Sequence, residues 1–391
     1  MTKHVDKPGA FYAYIAAGFG TRFGGGAAFL AMSAYLMLSA CCLTMFGTYA
    51  EKFMLNTIGL SNFPWYLGAF LAAILCAILA YNKIDLSAKV LTTVMALEII
   101  VVMLFNLSVL YKGGPEPLSV QPFAMSSFIG TEVALGLLFS VTVFIGFEAT
   151  AVFRDEVKDP EKTIPKATYL SLLLIGCFYA FCVWMLITAY GFADALKIST
   201  EDTENMFGNA VMNYLGHVGM DATRLLLVTS AFAAALSGIN ISSRYFFNLG
   251  GYKALPKILN KVHPKFGSPY IASMAVSILL ITFLIIAVFF QYDPNTLIVG
   301  LAGVGAYSLL LLMLITSLSI VKFFKNSSAL DIKKQLIPSI AAIGMSRILF
   351  KATQQIDLLI GGSKLLSIIV LFAIAVVYVY GFVAFKKVKT I

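Results

Sequence analysis

Two glutamates interrupt long apolar stretches of this sequence, and a carboxyl group in such a place can do chemistry. Glu98 stands within VLTTVMALEIIVVMLF, and Glu148 stands within SVTVFIGFEATAVF. A charge at the centre of a bilayer costs about 2.5–3.5 kcal/mol, so such residues usually face a cavity or a partner. Because a protonated carboxyl avoids that cost, both residues are candidate proton carriers. The alternative for each is structural, a carboxyl group hydrogen-bonded to a gap in a neighbouring helix.

Gly146 lies two residues before Glu148 and lowers the cost of breaking a helix there. A broken helix exposes backbone N–H and C=O groups, which within a membrane is tolerated only where the gap is buried in protein or lines a watery cavity. Transporters bind substrates at such breaks near the bilayer midplane. A single glycine in a membrane helix is common, so this pattern by itself is weak.

The rest of the chain is suited to holding these residues in a bilayer. Its 391 residues are 60% hydrophobic and only 12% charged, with a mean hydropathy of +0.89, which is too little polar surface to coat a soluble globule. Ten apolar runs could cross about 30 Å of hydrocarbon as helices. The ninth is short and contains Pro338 and Gly344. The runs lie near 26–50, 64–81, 88–111, 133–153, 167–191, 222–245, 270–290, 296–321, 335–350 and 365–385.

The distribution of positive charge predicts the orientation. With a cytoplasmic N-terminus and ten spans, about three quarters of the 28 lysines and arginines fall on the inner side, as the positive-inside rule expects. Both termini are therefore predicted to be cytoplasmic. The basic segment KKVKT near the C-terminus is better explained as a topology anchor than as a nucleic-acid-binding patch, despite the net charge of +9. The loops lack a periodic core pattern, so residues 1–391 are predicted to form one membrane domain without a soluble domain.

Nothing in the sequence points to a cofactor, a metal or an enzymatic nucleophile. The five cysteines fall within apolar runs without CxxC spacing, and the three histidines are far apart. GFGTRFGGG at 18–26 lacks the Gly-Lys-Ser/Thr ending of a phosphate-binding loop. Glycines at a helix entry more often permit close helix packing or a bend. We expect no cofactor, no metal site and no enzymatic activity.

Four stretches resemble the permeases of the amino acid/polyamine/organocation (APC) superfamily. PGAFYAY (8–14) resembles the family's Gly-Gly-x-Tyr-x-Tyr segment ahead of its third helix, with Ala10 in place of the second glycine. FIGFEATAVFRDEVKDPEKTIPKA is similar to the sixth helix and the cytoplasmic loop behind it. NISSRYFFNLGGYKALPKILNKVHPKFGSP (240–269) is similar to the end of the eighth helix with its loop, and VGLAGVGAY (299–307) to the tenth helix. Together the resemblance covers essentially the whole chain.

The resemblance implies an all-α polytopic membrane fold with broken helices. The family has twelve helices, and the first ten form two inverted five-helix repeats. Alignment of the motifs starts this chain just before the third family helix, so about ten helices are expected here and the first two family helices are expected to be absent. The first family helix is also broken, and its gap holds the carboxylate and amine of the substrate. Without that helix, half of the family's substrate site is expected to be missing.

The resemblance also assigns substrate-binding roles around the sixth helix. Gly146, Phe147 and Glu148 match its gap, where backbone carbonyls would hold an ammonium group and the aromatic side chain would cover the substrate. Ile145 would flank the gap in a packing role. Thr142, one turn earlier, would approach the pocket.

Charged residues near the inner face are the implied coupling and gating groups, together with Glu148 and Glu98. In the cytoplasmic loop, Arg154, Asp155, Glu156 and Lys158 would form charge pairs that stabilise one state of a gate, and Arg244 could pair with the acidic members. The alternative for the loop is a solvated segment in which prolines mark helix boundaries. The alternative for Arg244 is a snorkelling topology anchor.

The function that the resemblance implies is secondary active transport of amino acids or related amines by alternating access, in a bacterial plasma membrane. The expected partners are a small-molecule substrate, the lipid bilayer and protons, with exchange as the alternative to proton coupling and with no nucleic acid. One charge crossing 100 mV releases about 2.3 kcal/mol, enough for roughly fifty-fold accumulation. The competing hypothesis is an N-terminally truncated, transport-incompetent remnant or binding subunit of a permease. A start codon upstream of Met1 is a further alternative.

Overall fold

The computed structural model describes residues 4–5, 10–81, 84–128, 136–137, 140, 143–152, 154, 157–325, 332–362 and 364–388. These residues form helices, turns and connecting segments, and no strand occurs among them. The α-helices are α1 (Ala10–Phe19), α2 (Thr21–Phe53), α3 (Trp65–Tyr81), α4 (Ile84–Lys112), α5 (Ala149–Val152), α6 (Pro160–Tyr190), α7 (Phe192–Glu201), α8 (Thr203–Gly251), α9 (Tyr270–Phe289), α10 (Pro294–Lys325), α11 (Ile332–Gln354), α12 (Ile356–Ile360) and α13 (Lys364–Ala384).

Within the described residues, 8 helical segments are long and apolar enough to cross a membrane. Helix α3 is apolar too, but at 17 residues it is shorter. Nine of the ten predicted runs correspond to these helices, whereas most of the run at 133–153 lies outside the described residues. The chain is thus a multi-pass, all-helical membrane protein, as the sequence predicts. The long segments are Thr21–Ile58, Leu91–Lys112, Pro160–Tyr190, Asn205–Gly251, Tyr270–Phe289, Pro294–Lys325, Lys334–Gln354 and Lys364–Ala384.

The ninth predicted run is longer than the sequence suggests. Helix α11 continues through both Pro338 and Gly344. A proline removes one backbone hydrogen bond, but ending the helix within a membrane would leave several backbone groups without partners. The helix therefore continues through the proline.

Helix α1 precedes the first predicted span and is a feature that the hydropathy pattern does not reveal. It packs against α2, α5 and α10. The buried hydroxyl of Ser319 on α10 donates a hydrogen bond to the carbonyl oxygen of Tyr14, at 2.8 Å. Gly20, with a φ of 103°, separates α1 from α2. With only 10 residues, α1 is too short to register as a membrane span.

Helix α2 is the central helix of the bundle, in contact with α1, α3, α8, α10 and α13. Its buried face consists largely of glycine, alanine, serine and threonine. Small side chains let membrane helices approach closely, and van der Waals packing then stabilises the contact. This arrangement agrees with the packing role predicted for the glycines at 18–26.

Gly25 gives a packing test of this arrangement. A Cβ atom at this position would lie 2.3 Å from Cγ of Phe385, whose side chain is fully buried. We expect Gly25→Ala to destabilise the protein by about 1–3 kcal/mol, because Phe385 must move within a packed core. Thermal unfolding of the purified protein in detergent measures the change. A melting temperature equal to that of the wild type would contradict the close contact.

Asp293 forms the N-terminal cap of α10 and makes part of the stability pH-dependent. Its Oδ2 accepts hydrogen bonds from the backbone N–H and the hydroxyl of Thr296, both at 2.8 Å. These hydrogen bonds hold the pKa of the Asp293 carboxyl below its usual value, and the bond from the backbone N–H of Thr296 has the larger effect. A depressed folded-state pKa stabilises the fold above the unfolded pKa, and this contribution is lost as the pH falls through the folded pKa.

We therefore expect Asp293→Ala to lower the melting temperature at neutral pH. The difference from the wild type should shrink as the pH falls through the lowered folded-state pKa of Asp293, below which the carboxyl is protonated in both states. Thermal unfolding at a series of pH values measures this. A difference that persists unchanged into acid would show that the carboxylate is not the stabilising group.

Candidate functional site

The backbone around Gly146 leaves the helical path. Residues 144–148 are in turn conformation and lead into the short helix α5. Gly146 has a φ of 106°, a value that L-residues with a side chain rarely adopt. Helical hydrogen bonding resumes after the turn, where the N–H of Ala151 donates to the carbonyl of Glu148 at 2.9 Å. The break that the sequence predicts beside Glu148 therefore lies at Gly146, where the backbone conformation favours a glycine.

The Glu148 carboxylate joins this turn to the centre of the bundle. Its side chain is 7% exposed. One oxygen, Oε2, accepts a hydrogen bond from the backbone N–H of Gly146 at 3.0 Å. The other, Oε1, accepts a hydrogen bond from the hydroxyl of Tyr35 on α2. One carboxyl group thus holds the turn in shape and ties it to α2.

A cluster of tyrosines surrounds this contact, and sequence reasoning did not identify it. The ring of Tyr35 stacks on that of Tyr245 on α8, with centroids 5.9 Å apart, and Tyr12 on α1 meets Tyr245 edge-on at the same distance. Within the described part of the chain, the buried hydroxyl of Tyr245 has no hydrogen-bond partner. Tyrosine prefers the membrane interface. A tyrosine near the middle of a long apolar run, such as Tyr35, is therefore unusual, and it is the feature of the sequence that could have indicated this cluster.

A cavity of about 750 Å³ lies beside the broken segment. Residues of α1, the 147–151 segment, the start of α6, the second half of α10 and α11 line it. Its walls are mainly apolar, and its polar groups include Glu148, Thr168, Ser317 and Lys334. A concave, mostly apolar space of this size with a few polar groups is typical of a small-molecule site. It lies toward the end of the bundle where α6 begins and α10 ends, the predicted cytoplasmic side.

The other predicted substrate-binding residues are placed as follows. Phe147 lines the cavity beside Glu148. Ile145 is half-buried and packs against the apolar core formed around α1, α2 and α10. Thr142 lies outside the described residues.

Two of the predicted gating charges, Asp155 and Glu156, also lie outside the described residues. Arg154 is buried directly behind α5, whereas Lys158 is exposed. Arg244 is buried on α8, and its Nη1 donates a hydrogen bond to the carbonyl of Asn240 at 2.9 Å. The gating role of Arg244 and the alternative of a snorkelling anchor both stay predictions.

Glu98 belongs to a different part of the bundle. It lies on α4 with its carboxyl group close to Ser230 on α8. It is not among the residues that line the cavity beside Glu148. The structure therefore places the two intramembrane carboxyl groups in different surroundings.

Comparison with known protein families gives one match over nearly the whole chain. A family model described as "Amino acid permease" matches residues 2–389. This range includes the broken segment, the tyrosine cluster and every helix that lines the cavity.

Individual relatives match only part of the chain, at low sequence identity. The chain is 29% identical over 227 residues to the branched-chain amino acid permease BcaP of Bacillus subtilis, an alignment that covers 58% of this chain and 46% of the relative. It is 28% identical over 189 residues to the histidine permease HisP of Lactococcus lactis, covering 46% and 38%. Identity to the serine/threonine exchanger SteT of Bacillus subtilis is 24% over 287 residues, covering 72% and 63%. The chain spans about half the length of the curated relatives that it matches.

Proposed function

We propose, since the chain belongs to the amino acid permease family, that this protein is a secondary active transporter of amino acids or related amines. The observation that carries the proposal is the helix break at Gly146, which adjoins a cavity lined by Phe147 and Glu148. Alternating access requires a substrate site next to elements that can move relative to each other. The broken segment, which is tied to α2 by the hydrogen bond between Tyr35 and Glu148, has this character.

The break supplies groups suited to an amino acid. Backbone carbonyls near a broken helix can accept hydrogen bonds from an ammonium group. The aromatic ring of Phe147 would cover the apolar part of the substrate from the cavity wall. Ile145 would support the turn through its packing against the core, and Thr142 remains a proposed neighbour of the pocket.

Glu148 offers a route to proton coupling. As a carboxylate it accepts hydrogen bonds from both Tyr35 and Gly146. A proton on Oε2 would meet the fixed N–H of Gly146 and weaken that contact, whereas a proton on Oε1 would reverse the hydrogen bond to Tyr35, whose hydroxyl can also accept. Protonation would therefore relax the turn, or free the hydroxyl proton of Tyr35 on α2 to bond elsewhere. Proton symport follows from this linkage, and substrate exchange is the alternative in which the substrate alone drives the change.

The remaining charges are proposed to bias the two states. Glu98 would act from α4, apart from the cavity, and buried Arg154 and Arg244 would hold neighbouring segments together on the inner side. Lys158, with Asp155 and Glu156, would form the exchangeable charge pairs of the cytoplasmic loop. We further propose that the chain forms a single membrane domain in a bacterial plasma membrane with both termini cytoplasmic.

The test is transport by the purified protein in lipid vesicles. Radiolabelled branched-chain amino acids, histidine, serine, threonine and lysine form the first screen, because relatives are named for each of these substrates. Uptake driven by an imposed pH gradient and abolished by a protonophore indicates symport, whereas uptake that requires internal substrate indicates exchange. Saturable binding without uptake would favour the binding-subunit hypothesis. Neither binding nor uptake of any amino acid or amine would overturn the proposal.

A further inference from the structure

The loop that joins α8 to α9 carries lysines at a regular spacing of four residues. They are Lys253, Lys257, Lys261 and Lys265, and all four side chains are exposed. No aspartate or glutamate occurs in the sequence between Asp221 and Asp293. Positive charge on this surface is therefore not neutralised by acidic residues of the same segment.

An apolar residue follows each of these lysines in the sequence YKALPKILNKVHPKFGSP. Ile258 and Val262 are the larger exposed members, with 53% and 51% of their surfaces accessible. Exposed aliphatic side chains between lysines are unfavourable in water and favourable at a bilayer interface, where the apolar groups enter the acyl boundary and the ammonium groups remain at the headgroups.

The loop is held rigidly to the helices. Leu259 is buried between them, and Nδ2 of Asn260 donates a hydrogen bond to the carbonyl of Phe247 on α8 at 3.0 Å. At its far end, the hydroxyl of Ser268 donates to the carbonyl of Tyr81 on α3 at 2.7 Å. Little backbone conformational entropy would then be lost when a ligand binds to the lysines.

Both flanking helices are long, apolar candidate spans, so this loop begins and ends at the membrane surface. From this position we propose that residues 253–266, named here the lysine loop, bind the phosphate headgroups of anionic phospholipids. The lysines contact the phosphates while Ile258 and Val262 enter the acyl boundary. A nucleic acid or an acidic peptide would use the lysines but would leave the aliphatic side chains in water. The inference does not depend on the transport activity.

The experiment compares lipid retention by the full-length protein purified in detergent. Native mass spectrometry of protein mixed with equal amounts of phosphatidylglycerol and phosphatidylcholine gives the ratio of bound lipids. A lysine near an anionic surface raises association about fivefold, so Lys257→Gln with Lys261→Gln should lower the phosphatidylglycerol preference by about twenty-five-fold. Inorganic phosphate at the same concentration should not displace the lipid.

The matched control is Lys162→Gln with Lys166→Gln, a pair at the same spacing of four on α6 beside Glu161. This pair should keep the wild-type lipid preference. A second variant, Ile258→Ser with Val262→Ser, keeps every charge and should still weaken lipid retention. Equal losses in both lysine pairs, no preference in the wild type, or displacement by inorganic phosphate would each overturn the proposal.

Discussion

Glu148→Gln should abolish the pH dependence of uptake in lipid vesicles and lower uptake at the favourable pH by at least about tenfold. Glutamine has the same shape but cannot be protonated or deprotonated. Its oxygen must face the fixed N–H of Gly146, which leaves its NH₂ group against the hydroxyl of Tyr35. A hydrogen bond to a charged group contributes about 1.5–3 kcal/mol, so its replacement is enough for this loss. Uptake is measured between about pH 5 and pH 8.

Two further variants locate the effect. Tyr35→Phe removes the donor to Oε1 and leaves the carboxyl titratable, so it should change the position of the pH profile without removing it. Glu51→Gln, near the C-terminal end of α2 and away from the cavity, should behave like the wild type. Uptake by Glu148→Gln that still follows pH as in the wild type would remove Glu148 from the coupling role.

Gly146→Ala should reduce uptake at least about tenfold through the backbone alone. A residue with a side chain held at a φ of 106° carries strain of about 1–3 kcal/mol, and relief of that strain would change the turn that Glu148 holds. A Cβ atom at this position would meet no other atom within 4 Å, so steric contact does not contribute. Uptake and the melting temperature of the same preparation are the two measurements.

Gly344→Ala is the matched control for this substitution. A Cβ atom at Gly344 would also meet no other atom within 4 Å, but this glycine lies within α11 at an ordinary helical φ. Alanine there should leave uptake unchanged and stabilise the helix by up to about 1 kcal/mol. Equal effects of the two substitutions would show that the conformation of Gly146 is not what uptake requires.

The positions of most helices could be predicted from the sequence. A backbone that crosses hydrocarbon must satisfy its own hydrogen bonds, so long apolar runs allow little except helices. The two departures have a physical explanation. Helix α1 is too short to give a hydropathy signal, and α11 continues through Pro338 because membrane surroundings penalise a helix end more than one missing hydrogen bond.

The broken segment was only partly predictable. Gly146 beside Glu148 indicated a break, because a glycine and a carboxyl group are both unfavourable in a lipid-facing helix. Beyond that glycine, the sequence could not tell what surrounds Glu148 and Glu98, since both stand in similar apolar runs. Their difference depends on the neighbours that the fold provides, Tyr35 for Glu148 and Ser230 for Glu98.

By itself, the sequence determined the class of protein, most of the helices and the place of the break, because these follow from hydrophobicity and local backbone preference. Only the tertiary structure decided which side chains meet at that break. Tyr35 and Glu148 are 113 positions apart in sequence, and Tyr12 and Tyr245 join them from two further helices. Contacts of this kind arise from the packing of whole helices, and no local pattern of residues encodes them.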